Sequence, residues 1–90
     1  MKRIEASAIL TACVPLANRL AAEGIYVILT AAEKTVLANF YQVVLDGWLN
    51  DPKVYQEAGL RQLDIKMLGI KAARTLAEEM WQHAAGEQLE

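Results

Sequence analysis

Few residues of this chain could take part in catalysis, and those few do not form a recognisable site. Its 90 residues include one cysteine, Cys13, and one histidine, His83. Acid–base and nucleophilic catalysis need several reactive groups within reach of one another, and zinc sites need more ligands than these two residues supply. Glu79 and His83, one helical turn apart, are the best match to a metal-assisted site. The sequence therefore predicts a protein that is not an enzyme, with no cofactor and no catalytic or metal-binding residues.

The segment from Arg61 to Arg74 is the strongest candidate for specific chemistry. It carries four cations against one carboxylate, Asp64, in a chain whose net charge is -2. The run Met67-Leu68-Gly69-Ile70-Lys71 resembles the turn of helix-turn-helix DNA readers, whose second helix enters the major groove. This resemblance implies a DNA-binding regulator with a helix-turn-helix centred on Gly69. Its candidate nucleic-acid contacts are Arg61, Lys66, Lys71 and Arg74.

The same segment also fits one uninterrupted helix, and this is the favoured interpretation. Ile65 and Thr75 depart from the helix-turn-helix pattern, whereas the apolar residues keep one helical register straight through Gly69. We therefore expect a last helix from about Leu60 to Ala85, and the backbone at Gly69 distinguishes the two interpretations. The predicted core-facing side of this helix consists of Leu63, Met67, Ile70, Ala73, Ala77, Met80 and Ala84.

Capping signals predict where the other helices begin and end. A first helix is expected from Arg3 to Glu23, with a kink or a division into two short helices at Pro15, because proline lacks the amide that a helix interior needs. Thr30 and Glu33 form a capping box. The next helix is therefore expected to begin at Ala31 and to run to about Leu49.

Two further segments complete the sequence-based prediction. Asp51 as N-cap and Pro52 at the first helical position predict a short helix that ends at Ala58. Residues 25–29 are five β-favouring residues between the first two helices. The favoured interpretation is an extended connector whose side chains pack on the helices. The alternative is a strand that pairs with the same segment of another subunit.

The composition indicates a helical protein with more apolar surface than it can bury. Hydrophobic residues make up 54% of the chain, or about 60% with the five glycines, compared with a usual value of about 45–50%. A chain of this length has a large surface for its volume. We expect an all-α fold, a small helical bundle of three to four helices with a short extended segment near residues 25–29. Residues 1–88 form the single predicted domain, and residues 89–90 resemble a vector-derived addition.

These features predict a non-enzymatic protein-interaction module, of the adaptor or regulatory kind, that self-associates as a homodimer. Nucleic acid is a second, less favoured partner. A lone cysteine suits the reducing cytoplasm, and no segment has the apolar length of a membrane span, so a cytoplasmic location without membrane contact is expected. Tyrosine and tryptophan are frequent at interfaces because one end of each tolerates water. The candidate interface residues are Tyr26, Ile28, Trp48, Tyr55 and Trp81.

Overall fold

The chain folds into helices joined by short connections, as a computed structural model shows. The structure describes residues 1–24 and 26–89, and for residues 83–89 it describes the backbone alone. No strand occurs in this part of the chain, so the predicted all-α class is confirmed. The helices are α1 (Arg3–Ala12), α2 (Val14–Glu23), α3 (Ala31–Leu45), a 3-10 turn (Trp48–Asn50), α4 (Pro52–Glu57) and α5 (Gln62–Leu89).

The first predicted helix is divided into α1 and α2, which is the second of the two alternatives predicted for Pro15. The amide of Cys13 bonds to the carbonyl of Leu10 at 3.0 Å, and Pro15 follows in the first turn of α2, where its missing amide removes no helical bond. Gly24 ends α2 with a φ of 86°, a conformation that side-chain-bearing residues rarely adopt. Proline and glycine therefore set both ends of α2.

The second predicted helix begins as expected and ends early. Thr30 and Glu33 form the predicted capping box at the start of α3, with a bond of 3.2 Å from the Glu33 amide to the Thr30 hydroxyl. The predicted end at Leu49 is wrong, because α3 stops at Leu45. Gly47 has a φ of 81° and directs the chain into the 3-10 turn. A glycine just past a helix end is a usual stop signal.

Local capping also places α4 and the start of α5. The Asp51 carboxylate accepts a 3.1 Å bond from the amide of Lys53, which confirms Asp51 as the N-cap of α4. At the start of α5, the Asp64 carboxylate accepts a 2.9 Å bond from the Arg61 amide and two more bonds from the Arg61 guanidinium. These bonds satisfy amides that have no partner within the helix.

The core lies between two layers of helices. Helix α1 packs against α3 and α4, and α5 packs against α2 and α3, so α3 is shared by both layers. Helix α3 is therefore the central helix of the described fold. No described helix has the length and apolarity needed to cross a membrane. The largest fully buried side chains are Phe40, Leu10, Leu20, Leu37, Leu68, Val43, Val54 and Cys13.

The core-facing side of α5 is not the predicted one. The predicted side is largely exposed, with Leu63 at 59% and Ile70 at 46% of their full accessible area. The reason is that α5 has apolar residues on two sides, and packing against α2 and α3 selects the side around Leu68 instead. The α5 residues buried in this packing are Asp64, Leu68, Lys71, Ala72 and Thr75.

Residues 26–29 form a connector that two cationic side chains hold in place. The Arg19 guanidinium on α2 donates to the Ile28 carbonyl at 3.2 Å and also binds Glu33. The Lys71 ammonium on α5 donates to the Val27 carbonyl at 2.7 Å. A lone extended segment cannot pair its own carbonyls, so these side chains take the place of a neighbouring strand.

Protonation of Glu33 should weaken its ion pair with Arg19 and so destabilise the fold. The hydrogen bond from Arg19, followed by the bond from the Thr30 amide, lowers the pKa of Glu33 below its ordinary value. Because folding lowers this pKa, the ionised Glu33 carboxylate stabilises the fold at pH values above about 4.3, the ordinary pKa of glutamate. This stabilisation is lost as the pH falls through the lowered pKa. We therefore expect the free energy of unfolding, measured by urea titration, to decrease as the pH is lowered from 7 to 3.

The Glu33→Gln variant tests the contribution of this carboxylate. Glutamine can still complete the capping box but cannot form the ion pair, so the variant should be less stable at pH 7 and less sensitive to acid. Glu57→Gln is the control, because it removes the exposed ion pair of Glu57 with Arg3, and exposed pairs contribute little. Equal acid sensitivity of Glu33→Gln and the parent protein would contradict the assignment.

The Cys13 thiol should be almost unreactive in the folded protein. Burial raises its pKa from 9.0 to about 12, which lowers the thiolate fraction near neutral pH about 1000-fold, and the thiolate is the reactive form. We expect dithionitrobenzoate to label the folded chain at least about 1000-fold more slowly than the urea-unfolded chain. Comparable rates in the two states would show that the side chain is accessible.

Candidate protein-interaction site

Helix α5 is the longest element and extends beyond the core. Its 28 residues correspond to a length of about 42 Å, in a molecule whose principal dimensions are 47 × 30 × 19 Å. The side chains that pack on α2 and α3 end near Leu76, and residues 77–82 are exposed. The middle of α5 is therefore fixed by the core, and the side chains of the following turns, residues 77–82, are exposed to solvent.

The exposed side of α5 carries a continuous row of apolar residues with one arginine. At 100° per residue, this row lies roughly 140° around the helix axis from the buried Leu68. Trp81 retains 75% of its accessible area, whereas Met67, nearest the core, is half-buried. The spacing is four, three, four, three and four residues. We call this row the α5 stripe, and its members are Leu63, Met67, Ile70, Arg74, Ala77 and Trp81.

Helix α5 has apolar residues on two sides of its axis. Amphipathic helices of small proteins have one apolar side, which packs on the core, and one polar side, which faces water. The core of this chain covers the side around Leu68 only. Exposed apolar rows of this length are typical of protein-binding surfaces. The α5 stripe is therefore the candidate interaction site.

The connector adds two exposed apolar side chains beside this stripe. Val27 is buried and Leu29 half-buried, whereas Tyr26 and Ile28 are 80% and 87% exposed. This alternation is typical of extended chain. The Arg74 guanidinium lies 5.2 Å from the centroid of the Tyr26 ring, within the range of a cation–π interaction. Tyr26 therefore adjoins the stripe at its arginine.

A cleft of about 200 Å³ separates the connector from the first turn of α3 and the middle of α5. Its charged lining residues are Lys34, Lys71 and Arg74, opposed by Glu78, which lies 3.5 Å from the Arg74 guanidinium. Cations outnumber carboxylates, so the cleft is suited to an anionic group. Two of the three cations already contact groups of this chain, which limits how strongly they can attract a further anion.

The structure separates the five predicted interface residues into two groups. Tyr26, Ile28 and Trp81 are exposed, and Tyr26 and Ile28 lie on the connector that borders α5. Trp48 and Tyr55 are half-buried and pack against the hydrophobic core. Their aromatic rings therefore serve the fold at the edge of the core, and they do not lie on the α5 stripe.

The described residues show no helix-turn-helix at Gly69, and nucleic-acid binding stays a prediction. Helix α5 continues through Gly69 without interruption, so the described residues contain no turn there. Lys71, one of the predicted DNA contacts, is only 7% exposed and bonds to the connector. Arg61 binds Asp64 and lowers its pKa. Lys66 and Arg74 are exposed and lie on the same continuous helix.

The described side chains include no cluster suited to a metal ion. Among them, no group of three histidine, cysteine, aspartate or glutamate side chains is close enough to hold one. The buried Cys13 thiol donates to the Ile9 carbonyl at 3.2 Å, and its raised pKa makes it a poor nucleophile. Glu79 is exposed. The side chain of His83, its suggested metal partner, lies outside the described residues, as does Glu90.

Sequence reasoning places four members of the α5 stripe on the core-facing side: Leu63, Met67, Ile70 and Ala77. It assigns Arg74 to nucleic-acid contacts and Trp81 to an interface. One signal could have corrected this. The strict alternation of four and three residues has a period of 3.5, which is typical of a seam between helices of a coiled coil rather than of a core-facing surface. No protein-family model matches the chain, and neither curated proteins nor solved structures gave a match.

Proposed function

We propose that this chain is a non-enzymatic protein-interaction module, of the adaptor or regulatory kind, that self-associates through the α5 stripe. The observation that carries the proposal is the exposure of apolar side chains on the side of α5 that the core leaves uncovered. Leu63, Ile70 and Trp81 keep about half or more of their accessible area. Their chemistry fits another apolar helix and offers nothing to a small polar substrate.

Burial of these side chains supplies the driving force. Full burial of one leucine, isoleucine or methionine side chain is worth about 1.5–3 kcal/mol. In a two-fold symmetric dimer the same surface is used by both copies, so every stripe residue contributes twice. Tryptophan and tyrosine add a large contact area at the edge of such an interface, where their polar atoms remain hydrogen-bonded to water. Tyr26 and Trp81 are the aromatic residues placed for this role.

A cytoplasmic site of action belongs to the same proposal. The single cysteine is a buried thiol, which suits a reducing compartment in which disulfides do not persist. The module needs no cofactor for the proposed role, because apolar burial between helices is sufficient to hold two chains together.

Polar substitution in the stripe should weaken the dimer without unfolding the chain. We expect the parent protein to elute at twice the 10.0 kDa mass of one chain in size-exclusion chromatography with light scattering at tens of micromolar. The double variant Leu63→Gln/Ile70→Gln removes four apolar side chains from a symmetric dimer. Its dissociation constant should rise about 100-fold or more, while its circular dichroism stays helical.

Leu45→Gln is the matched control, because Leu45 is 61% exposed, nearly the same as Leu63, but lies at the end of α3. This variant should keep the dimeric mass. A parent protein that is monomeric at these concentrations would refute self-association. A double variant that stays fully dimeric would show that the interface is not the α5 stripe.

A further inference from the structure

The charges along α5 are arranged with opposite signs at its two ends. From Arg61 to Arg74 the sequence has four cations against Asp64, a surplus of three positive charges. From Thr75 to the end it has no lysine or arginine and four glutamates. Within α5 itself, three cations and Asp64 precede Thr75, and three glutamates follow it.

This arrangement opposes the helix dipole. The amino end of a helix carries partial positive charge and its carboxyl end partial negative charge, so acidic residues early and basic residues late stabilise an isolated helix. Apart from Asp64, α5 has the reverse order. The order is unfavourable within one helix but complementary to a second copy that runs the opposite way.

We infer that two copies pair through antiparallel α5 helices, with a two-fold axis near residue 72. The inference rests on the proposed self-association and names its geometry. In an antiparallel pair centred on residue 72, the exposed Lys66 beside the α5 stripe comes opposite the partner's exposed Glu78, and the two helix dipoles also oppose each other. A parallel pair places like charges side by side and is disfavoured.

The α5 stripe fits this geometry along its whole length. With the axis at its midpoint, Leu63 lies opposite the partner's Trp81, and Met67 lies opposite the partner's Ala77. Large residues thereby face smaller ones at Met67 and Ala77, as interdigitating helices require. The alternating spacing of four and three keeps the row facing a partner helix.

Arg74 is the polar member of the α5 stripe, and the antiparallel pair can accommodate its side chain. It lies opposite the partner's Ile70, so its aliphatic stem can cover an apolar side chain while its charged end stays outside. That end is already held by the Tyr26 ring and by Glu78. In a parallel pair Arg74 meets a second Arg74, which adds a repulsion at the centre of the seam.

Cross-linking through one introduced cysteine per chain distinguishes the two arrangements. In the antiparallel pair, residue 67 is separated from its own copy by about ten residues along the axis, or about 15 Å, beyond the reach of a disulfide. Met67→Cys alone and Ala77→Cys alone should therefore form little disulfide dimer under mild oxidation. An equal mixture of the two variants should form the mixed disulfide as its main cross-linked product. The parent protein, whose only cysteine is buried, is the control.

Each outcome bears on one step. A monomeric parent protein refutes the proposed function itself. A dimeric parent with each variant cross-linking to itself, and no mixed disulfide, keeps self-association and overturns the antiparallel geometry. A dimer that gives neither product places the interface away from the α5 stripe and overturns both the geometry and its site.

Salt dependence of the parent dimer is a second test that needs no substitution. Opposite charges across the antiparallel seam attract, and added salt screens that attraction. The dissociation constant should therefore rise between 50 mM and 500 mM sodium chloride. A dissociation constant that falls with salt shows like charges across the seam and overturns the inference.

Discussion

The packing of α5 across α2 and α3 sets the arrangement of the other elements. Leu68 and Ala72 of α5 are buried in this packing, and they fix which side of a two-sided helix faces inward. Once that side is chosen, the opposite row of apolar residues has to face outward. The exposed α5 stripe is therefore a direct consequence of how the core is closed.

The buried side of α5 also contains polar residues, and these organise the neighbouring segments. Lys71 is taken out of water but bonds to the Val27 carbonyl, and Asp64 is held by Arg61. Buried polar groups are costly unless they are hydrogen-bonded. Because each bond requires a specific partner, the pair Lys71–Val27 fixes the connector relative to α5, and Arg19 fixes it relative to α2. The exposed positions of Tyr26 and Ile28 follow from these tethers.

The elements that could be predicted from the sequence are those set by local chemistry. Thr30 with Glu33, Asp51 with Pro52, and Pro15 each act on amides within a few residues of themselves, so the ends they mark were predicted. The predicted end of α3 at Leu49 is wrong because apolar residues continue past Gly47, whereas the left-handed backbone at Gly47 ends the helix. Helix existence, helix order and the extended connector all follow from patterns that are local to the sequence.

The side of α5 that faces the core could not be predicted in the same way. Both sides are apolar enough to be buried, and the choice depends on the shapes of α2 and α3, which lie far away in sequence. The same limit applies to Lys71, whose charge predicts exposure, whereas its carbonyl partner 44 residues earlier keeps it buried. The aromatic types of Tyr26 and Trp81 allow the sequence to predict them as interface residues. The sequence does not predict that both belong to or adjoin the exposed α5 stripe.

The two tryptophans occupy contrasting surroundings, and this gives the protein two separate optical reporters. Trp48 is packed against the core, so its emission follows the melting of a single chain. Trp81 stands in water on the α5 stripe, so its emission shifts to shorter wavelength only when another molecule covers it. Fluorescence can therefore separate unfolding from assembly without any label.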